Sequence, residues 1–356
     1  MIYQIDESDI ETLDSCILCN SDELLKISDV CEQNNNIFLA TSCCQNCGHV
    51  FRTTRPKFQW FLEAWSKRKL DKQDVIIEQT KDPEKELRRY GRYKNLAQVL
   101  STCVENKNIL DVGCGPGAGL KAFVDQGWAV TGIEPDPIRA EVGVEYHGLN
   151  IKNCTIDSYD SDEKYDVVSL LHVLEHVHEP VEFLNHVISK VKDKGFIYVE
   201  VPELFNFVGF HDSLYLEHMS NFTRYSLQKL GQDIGLIPKT TFITKTHPSG
   251  HNHMAILFQK DSENTDNNQI VIERSSYGQY IKEGWEMDLS VLSPMTEKHF
   301  ANRYNNSVKQ LYRRPVGIPS EVELNYYVNN ITDIDNTCGP IGRLTMQNNK
   351  LMVIEQ

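Results

Sequence analysis

NILDVGCGPGAGLKAF, residues Asn108–Phe123, runs an apolar strand pattern into an acid, Asp111, and then sets glycine at four alternate positions, Gly113, Gly115, Gly117 and Gly119. Glycine has no Cβ and accepts positive φ, so a strand that ends this way and opens a helix lets backbone N–H groups come close to a ligand at the helix N-terminus. Dinucleotides and S-adenosylmethionine are both held by such a turn, and Gly113-x-Gly115-x-x-Ala118 also fits the dinucleotide pattern. The neighbouring acids decide between them. Asp111 stands where a diphosphate would be repelled, whereas the ammonium of the methionine part of S-adenosylmethionine is attracted to a carboxylate. Glu134 ends WAVTGIE about twenty residues further on, placed to accept from both ribose hydroxyls.

Outward from this stretch, short apolar runs alternate with helical segments. NILDVG, WAVTGIE, IKNCTI, YDVVSLLHV and GFIYVEVP read as strands, while GLKAFVDQG, PDPIRAEVGVEYHG, EPVEFLNHVISKV and TRYSLQKLGQDIGL read as helices, the last closing on Gly235. Such alternation belongs to an α/β fold, a parallel sheet with helices on both faces. KTTFITKT and HMAILFQK follow as a hairpin expected at the sheet edge, and DSENTDNNQ, Asp261–Gln269, reads as a linker. Four sections result: 1–55, rich in cysteine; 56–106, a helical connector and cofactor lid; 107–260, the cofactor-binding domain; and 261–356, a C-terminal α+β extension with mixed helices and a final hairpin, RLTMQNNKLMVIE.

With 356 residues, 40% of them hydrophobic, the chain can bury a sizeable core. No apolar run approaches the roughly 20 residues that span a bilayer, and the first fifteen residues are acidic where a secretory signal would be basic, so a cytoplasmic protein is expected. A formal charge of −14 argues against a general nucleic-acid partner, because polyanion affinity rests on Lys and Arg. A basic stretch from Arg52 to Lys94 reads either as a solvated helical face or as a dock for a phosphorylated small substrate.

Cys16-x-x-Cys19 and Cys44-x-x-Cys47 form two knuckles that can place four thiolates around one metal, and Zn²⁺ is the usual occupant of a closed four-sulfur site. Cys43 and His49 could each substitute for a ligand, and Cys31 is a spare. With every position filled by protein, the ion would be structural, holding a small lobe together.

Motifs of this kind in this order resemble the class I S-adenosylmethionine-dependent methyltransferases, within the large group that carries "DVGCGxG" and "HVLEHV", over roughly Tyr90–Lys260. The resemblance implies a Rossmann-like seven-stranded sheet, mostly parallel with an antiparallel last strand. By carry-over, Asp111, Gly113, Gly115 and Gly117 hold the methionine half of the cofactor and Glu134 the ribose. Asp157, exchangeable with Ile156, faces the adenine amine; Tyr90 or Tyr93 approaches from the preceding helix, and His172 follows the fourth strand.

Methyl transfer is an in-line displacement that needs an aligned nucleophile and a base for its proton. Tyr215, Glu217 and His218, in DSLYLEHMSNFTRYSL, and His176, in HVLEHV, fall in loops at the C-terminal edge of the sheet, where open α/β sheets bind ligands. The bland reading is that LEHMSNFT merely caps the next helix through Asn221 or Thr223. The N-terminal cysteines with both motifs look like the sugar C-methyltransferases that act on nucleotide-linked deoxy-keto sugars, which implies an acceptor site lined by His218, Glu217, Tyr215 and His176 with His218 as base. Those enzymes end in a further βαβ domain that residues 270–356 do not match, so carbon and oxygen both stand as acceptor atoms. A ribosomal RNA base methyltransferase and a non-catalytic methyltransferase-like binding module are the alternatives.

Overall fold

A computed structural model describes residues 5–32, 37–63, 77–78, 81–204, 217–245, 252–261, 339–347 and 350–355. The expected helices SYGQYIKEGWEMDL and TEKHFANRYNNSVKQLYRR lie outside the described residues. The N-terminal lobe opens with β1 (Ile10–Thr12), β2 (Leu24–Glu32), β3 (Ile37–Cys44), β4 (Val50–Arg52) and β5 (Thr54–Pro56). β2, β3 and β4 form an antiparallel meander, and β1 pairs with β5.

Helix α1 (Pro83–Leu100) begins where Pro83 supplies the first-turn φ and Asp82 Oδ1 accepts from the backbone of Glu84 and Lys85 at 3.0 and 3.3 Å. Its buried stripe, Tyr93, Leu96, Ala97 and Leu100, packs on Phe123 and Trp128. The alternating pattern then appears as β6 (Asn108–Val112), α2 (Leu120–Val124), β7 (Ala129–Ile133), α3 (Pro137–Glu145), β8 (Ile151–Lys152), β9 (Tyr165–Leu171), α4 (Pro180–Ser189) and β10 (Val191–Val201). After β11 (Ser220–Asn221) come α5 (Arg224–Asp233), β12 (Leu236–Lys245) and β13 (Asn252–Lys260). Thr223 caps α5, its hydroxyl accepting from Ser226 N, so the capping reading of LEHMSNFT holds for Thr223 and not for Asn221.

Seven strands line up as β8-β7-β6-β9-β10-β13-β12, parallel from β8 to β10, with β13 antiparallel to both neighbours. The expected sheet is therefore present, but it is not the whole sheet. The C-terminal hairpin β14 (Gly339–Gln347) and β15 (Lys350–Glu355) adds to the free side of β12, Thr241 facing Leu344, and extends the sheet to nine strands. The β12–β13 hairpin is thereby internal. IKNCTI is extended only at Ile151–Lys152, because Asn153 turns out to donate its side-chain amide to Glu134 O at 2.8 Å and a turn follows.

Lobe and sheet are joined by strand addition. β11 pairs antiparallel with β4, Ser220 facing Phe51, so two residues from beyond the fifth sheet strand complete the lobe's own four-stranded sheet. Beside this seam Arg55, only 1% exposed, donates to Glu11 at 2.6 Å, to Glu179 at 3.2 Å and to His178 O at 3.0 Å. Arg52 is buried as well, so the first part of the basic stretch is neither a solvated face nor a phosphate dock. Replacing Arg55 with Met strands the His178 carbonyl and should lower urea stability by about 1–3 kcal/mol. Lys229→Met, which breaks a same-helix pair with Asp233, should shift it by less than about 0.5 kcal/mol.

Candidate cofactor and acceptor site

Asp111 is buried at the end of β6, and its two oxygens accept from Ser169 Oγ at 2.6 Å and Tyr93 Oη at 3.1 Å. Burial pushes the carboxyl up to about 7, against the pull of those two hydroxyls and of Arg92. Of the two tyrosines expected on this helix, Tyr93 is the one that reaches the site. Tyr90 donates to Asp125 at 2.8 Å on the exposed side of α1.

The glycine turn has two kinds of position. Gly113 and Gly117 have φ of 71° and 77°, and a Cβ at either would stand 2.6–2.7 Å from Val173 or from Leu149 and Ile151, so the protein itself requires them. Gly115, at φ 59°, is different: a Cβ there would meet nothing within 4 Å. Its N–H donates to Glu134 Oε2 at 2.8 Å, while Glu134 Oε1 accepts from Asp136 N at 2.8 Å. Glu134 thus closes across the turn, buried, with burial raising its carboxyl. Gly119 is excluded from having a side chain by the Tyr93 ring, 2.4 Å from where its Cβ would be. Asp157 sits exposed in the turn after β8, and Ile156 points into the core.

At the same edge, His172 takes φ 59° and shares a hydrogen bond with Glu175 at 3.2 Å; its Nε2 lies 3.4 Å from Glu200, out of line for a hydrogen bond. Burial opposes its charge, but Glu175 and Glu200 outweigh burial and raise it. Glu200 is fully buried and also takes Tyr198 Oη at 2.9 Å and the Arg92 guanidinium. Burial would raise it; Arg92 and His172 hold it down at about 2. Sequence reasoning missed Ser169, Glu200 and Arg92, although Ser169 and Glu200 each stand between two buried apolar neighbours in their strands.

His176 and His218 come together, ring centroids 4.8 Å apart, with His176 Nδ1 bonded to Glu217 O at 2.8 Å and Met219 N donating to Glu175 O at 2.8 Å. Glu175, His176 and His218 bring one ligand atom each within 4.8 Å of one another. Burial and His176 hold His218 down at about 3, against Glu175, so it is neutral. Glu217 enters this cluster through its carbonyl, and Tyr215 lies outside the described residues.

In the lobe, Cys16, Cys19, Cys44 and Cys47 bring their Sγ atoms within 4.8 Å of one another, with Cys16–Cys47 at 3.6 Å and Cys19–Cys44 at 3.5 Å. A tetrahedral Zn²⁺ with Zn–S of about 2.3 Å needs sulfurs about 3.8 Å apart, so the donor set fits the ion. The knuckles match bond for bond. Asn20 N and Gly48 N donate to Cys16 O and Cys44 O at 2.9 Å, and Cys16 N and Cys44 N donate to Ser21 O and His49 O at 2.8 and 2.9 Å. Asn20 and Gly48 both have positive φ. Cys43 and His49 stand outside this set: the Cys43 thiol, which burial pushes up to about 12, lies 3.7 Å from Cys44 O, and His49 Nε2 is 3.2 Å from Ser220 Oγ.

Residues 83–237 match the family model described as Methyltransf_23, methyltransferase domain. This segment has the α/β methyltransferase fold. Over 103 residues the chain is 34% identical to a ubiquinone biosynthesis O-methyltransferase of Rickettsia conorii, covering 28% of this chain and 36% of that one. Over 185 residues it is 26% identical to the protein of the same name from Hydrogenovibrio crunogenus, covering 47% and 69%. The Burkholderia thailandensis 1,6-didemethyltoxoflavin-N1-methyltransferase, solved with S-adenosylhomocysteine, aligns at TM-score 0.45 and 14% identity, covering 60% of this chain and 96% of that one. The lobe carrying the four cysteines precedes the methyltransferase domain. No described helix is long and apolar enough to cross a membrane.

Because Asp111 binds its proton more tightly folded than unfolded, its contribution to stability is full below about pH 4 and is lost as pH rises through about 7. Asp111→Asn should therefore gain in melting temperature relative to wild type between pH 5 and pH 8 in unliganded protein, measured by calorimetry; a difference independent of pH would remove the assignment.

Proposed function

We propose that the chain transfers the methyl group of S-adenosylmethionine to a small-molecule acceptor, a nucleotide-linked sugar or related metabolite, at carbon or oxygen. The observation that carries this reading is Asp111. A carboxyl buried at a strand end, beside a turn whose Gly115 faces open space, is bonded by two hydroxyls and has Arg92 near but not bonded to it, and the cofactor's ammonium would be a bonded cation for it. Gly113, Gly115 and Gly117 would hold the methionine half, Glu134 the ribose and Asp157 the adenine. The bound cofactor supplies a methyl group on a positively charged sulfur. The small-molecule enzymes among the relatives support an acceptor of this size.

The acceptor would lie against His218 and His176, and Glu217 and Tyr215, neighbours of His218 in sequence, are proposed as further contacts. His218, neutral, accepts the proton that the acceptor atom loses as the new bond to carbon forms, and Glu175, held at about 2 by the surrounding histidines although burial opposes it, stabilises the imidazolium. The four thiolates hold a structural Zn²⁺. His172 orients Glu175 from the cofactor side.

His218→Asn should lower turnover by about 10²–10⁴-fold while calorimetric affinity for S-adenosylhomocysteine stays within about twofold. Unchanged turnover removes His218 as base, and no heat with either form of the cofactor in wild type removes the enzymatic reading. Native mass spectrometry should find one zinc per chain; Cys44→Ser should lose it and the folded lobe with it.

A further inference from the structure

The segment that carries His218 is strung between two supports. On one side the turn at Leu174–His176 holds it, through Met219 N to Glu175 O and His176 Nδ1 to Glu217 O. On the other side stands the N-terminal lobe. Arg52 N donates to Met219 O at 2.9 Å, β11 pairs with β4, and His49 Nε2 meets Ser220 Oγ at 3.2 Å. His49 is wholly buried, parallel to Phe51 at 5.6 Å and tilted on Phe222 at 5.0 Å, and it follows directly on the Cys44-x-x-Cys47-Gly48 knuckle, which is closed by Cys44 N donating to His49 O. The lobe also holds the other arm of the pair, since Arg55 and Pro56 O bond His178 at its carbonyl and its Nε2, two residues past His176.

We propose that His49 is a positioning residue for methyl transfer: through Ser220 it fixes the β11 segment against the four-cysteine knuckle and so sets His218 against His176. This rests on the acceptor-site reading above and goes beyond it, because it makes the lobe a working part of the acceptor site. Among the described residues one side-chain hydrogen bond joins His49 to the segment, and its ring also packs on Phe51 and Phe222, so its polar and packing contributions can be separated by substitution. A loosened segment would let the two rings drift, and a displacement of about 1 Å at a reacting group costs up to about a hundredfold in rate.

The test compares His49→Phe, which keeps the stacking and removes the hydrogen bond, with His49→Gln, whose amide can restore it, and with Ser220→Ala, which removes the other partner without touching the aromatic slot. With zinc-loaded full chain, His49→Phe and Ser220→Ala should lower kcat about tenfold or more, KM and S-adenosylhomocysteine affinity should stay within about twofold, and His49→Gln should recover most of the loss. A second readout needs no acceptor. The groups facing His218 are Glu175, His176 and His172 from the turn after β9 and Arg52 from β4, and they act on it at close range inside a buried site. NMR titration of the His218 ring should show its protonation midpoint rising toward the ordinary histidine value in His49→Phe and Ser220→Ala, as water enters, and returning in His49→Gln. Should the midpoint and kcat be unmoved in folded His49→Phe and Ser220→Ala, or should His49→Gln behave as His49→Phe does, the positioning role is overturned. Wild-type protein that binds no cofactor but shows the midpoint shifts would overturn the enzymatic reading alone.

Discussion

A carboxylate buried at the end of the central strand constrains everything built around it. Asp111 sits between β7 and β9 in the sheet, so its flanks are backbone, and only the strand's end and the two faces are open to it. Ser169 from β9 and Tyr93 from α1 satisfy its two oxygens from within the protein. Neither is a cation, and burial leaves the group near neutrality in its titration. Arg92 acts on it from nearby without bonding to it. The helix that supplies Tyr93 must cross this strand end, and Gly119 must be bare for the ring to fit. The glycine run therefore serves protein packing at Gly113, Gly117 and Gly119 as much as ligand approach at Gly115.

The alternation of apolar runs and capped helices was readable because each element carries its own start and stop chemistry: Asp82-Pro83, Asp136-Pro137 and Thr223 with Ser226 open α1, α3 and α5, and each is local in sequence. The four ligand cysteines were readable for the same reason, since each knuckle is a short turn closed by its own backbone. What escaped depends on contacts far apart along the chain. Nothing near Ser220 announces that two residues will pair with β4, about 170 positions earlier. The same holds for the hairpin β14–β15, whose own pairing is local and legible but whose docking on β12 is not. Tyr90 and Tyr93 differ by three positions on one helix, and only the packing of α1 tells which faces Asp111.

Polar residues in the wrong place are the signal that sequence reading could have used further. Glu200 is flanked by buried apolar residues on β10 and is fully enclosed, a position that costs several kcal/mol unless a partner is supplied. Arg92, Tyr198 and His172 are that supply, drawn from three different elements. Such a network fixes α1 to the sheet in one rotation and puts the positive charge of Arg92 near Asp111 without bonding to it. Arg55 plays the corresponding part between lobe and domain. Both arginines come from stretches that read as surface charge in sequence, because a run of basic residues gives no sign of which members turn inward.

The acidic balance of the chain and its chemistry are connected by this geometry. Carboxylates at the C-terminal edge of the sheet, Asp111, Glu134, Glu175 and Glu200, are all buried, and each is held by donors of the protein or lies against a histidine. Glu200 is paired with Arg92 and Glu175 with histidines, while Asp111 and Glu134 are bonded by hydroxyls and backbone N–H groups alone, so the part of the edge beside the glycine turn is the part that suits a cationic ligand. The histidines at the far end of the same edge counter those acids where an acceptor would develop negative charge. His176 and His172 lie against Glu175, and the His218 ring lies against that of His176. A cation at one end and a developing anion at the other is the charge distribution that the proposed methyl transfer would need, and the placing of acids at these strand ends and imidazoles in these loops supports that proposal.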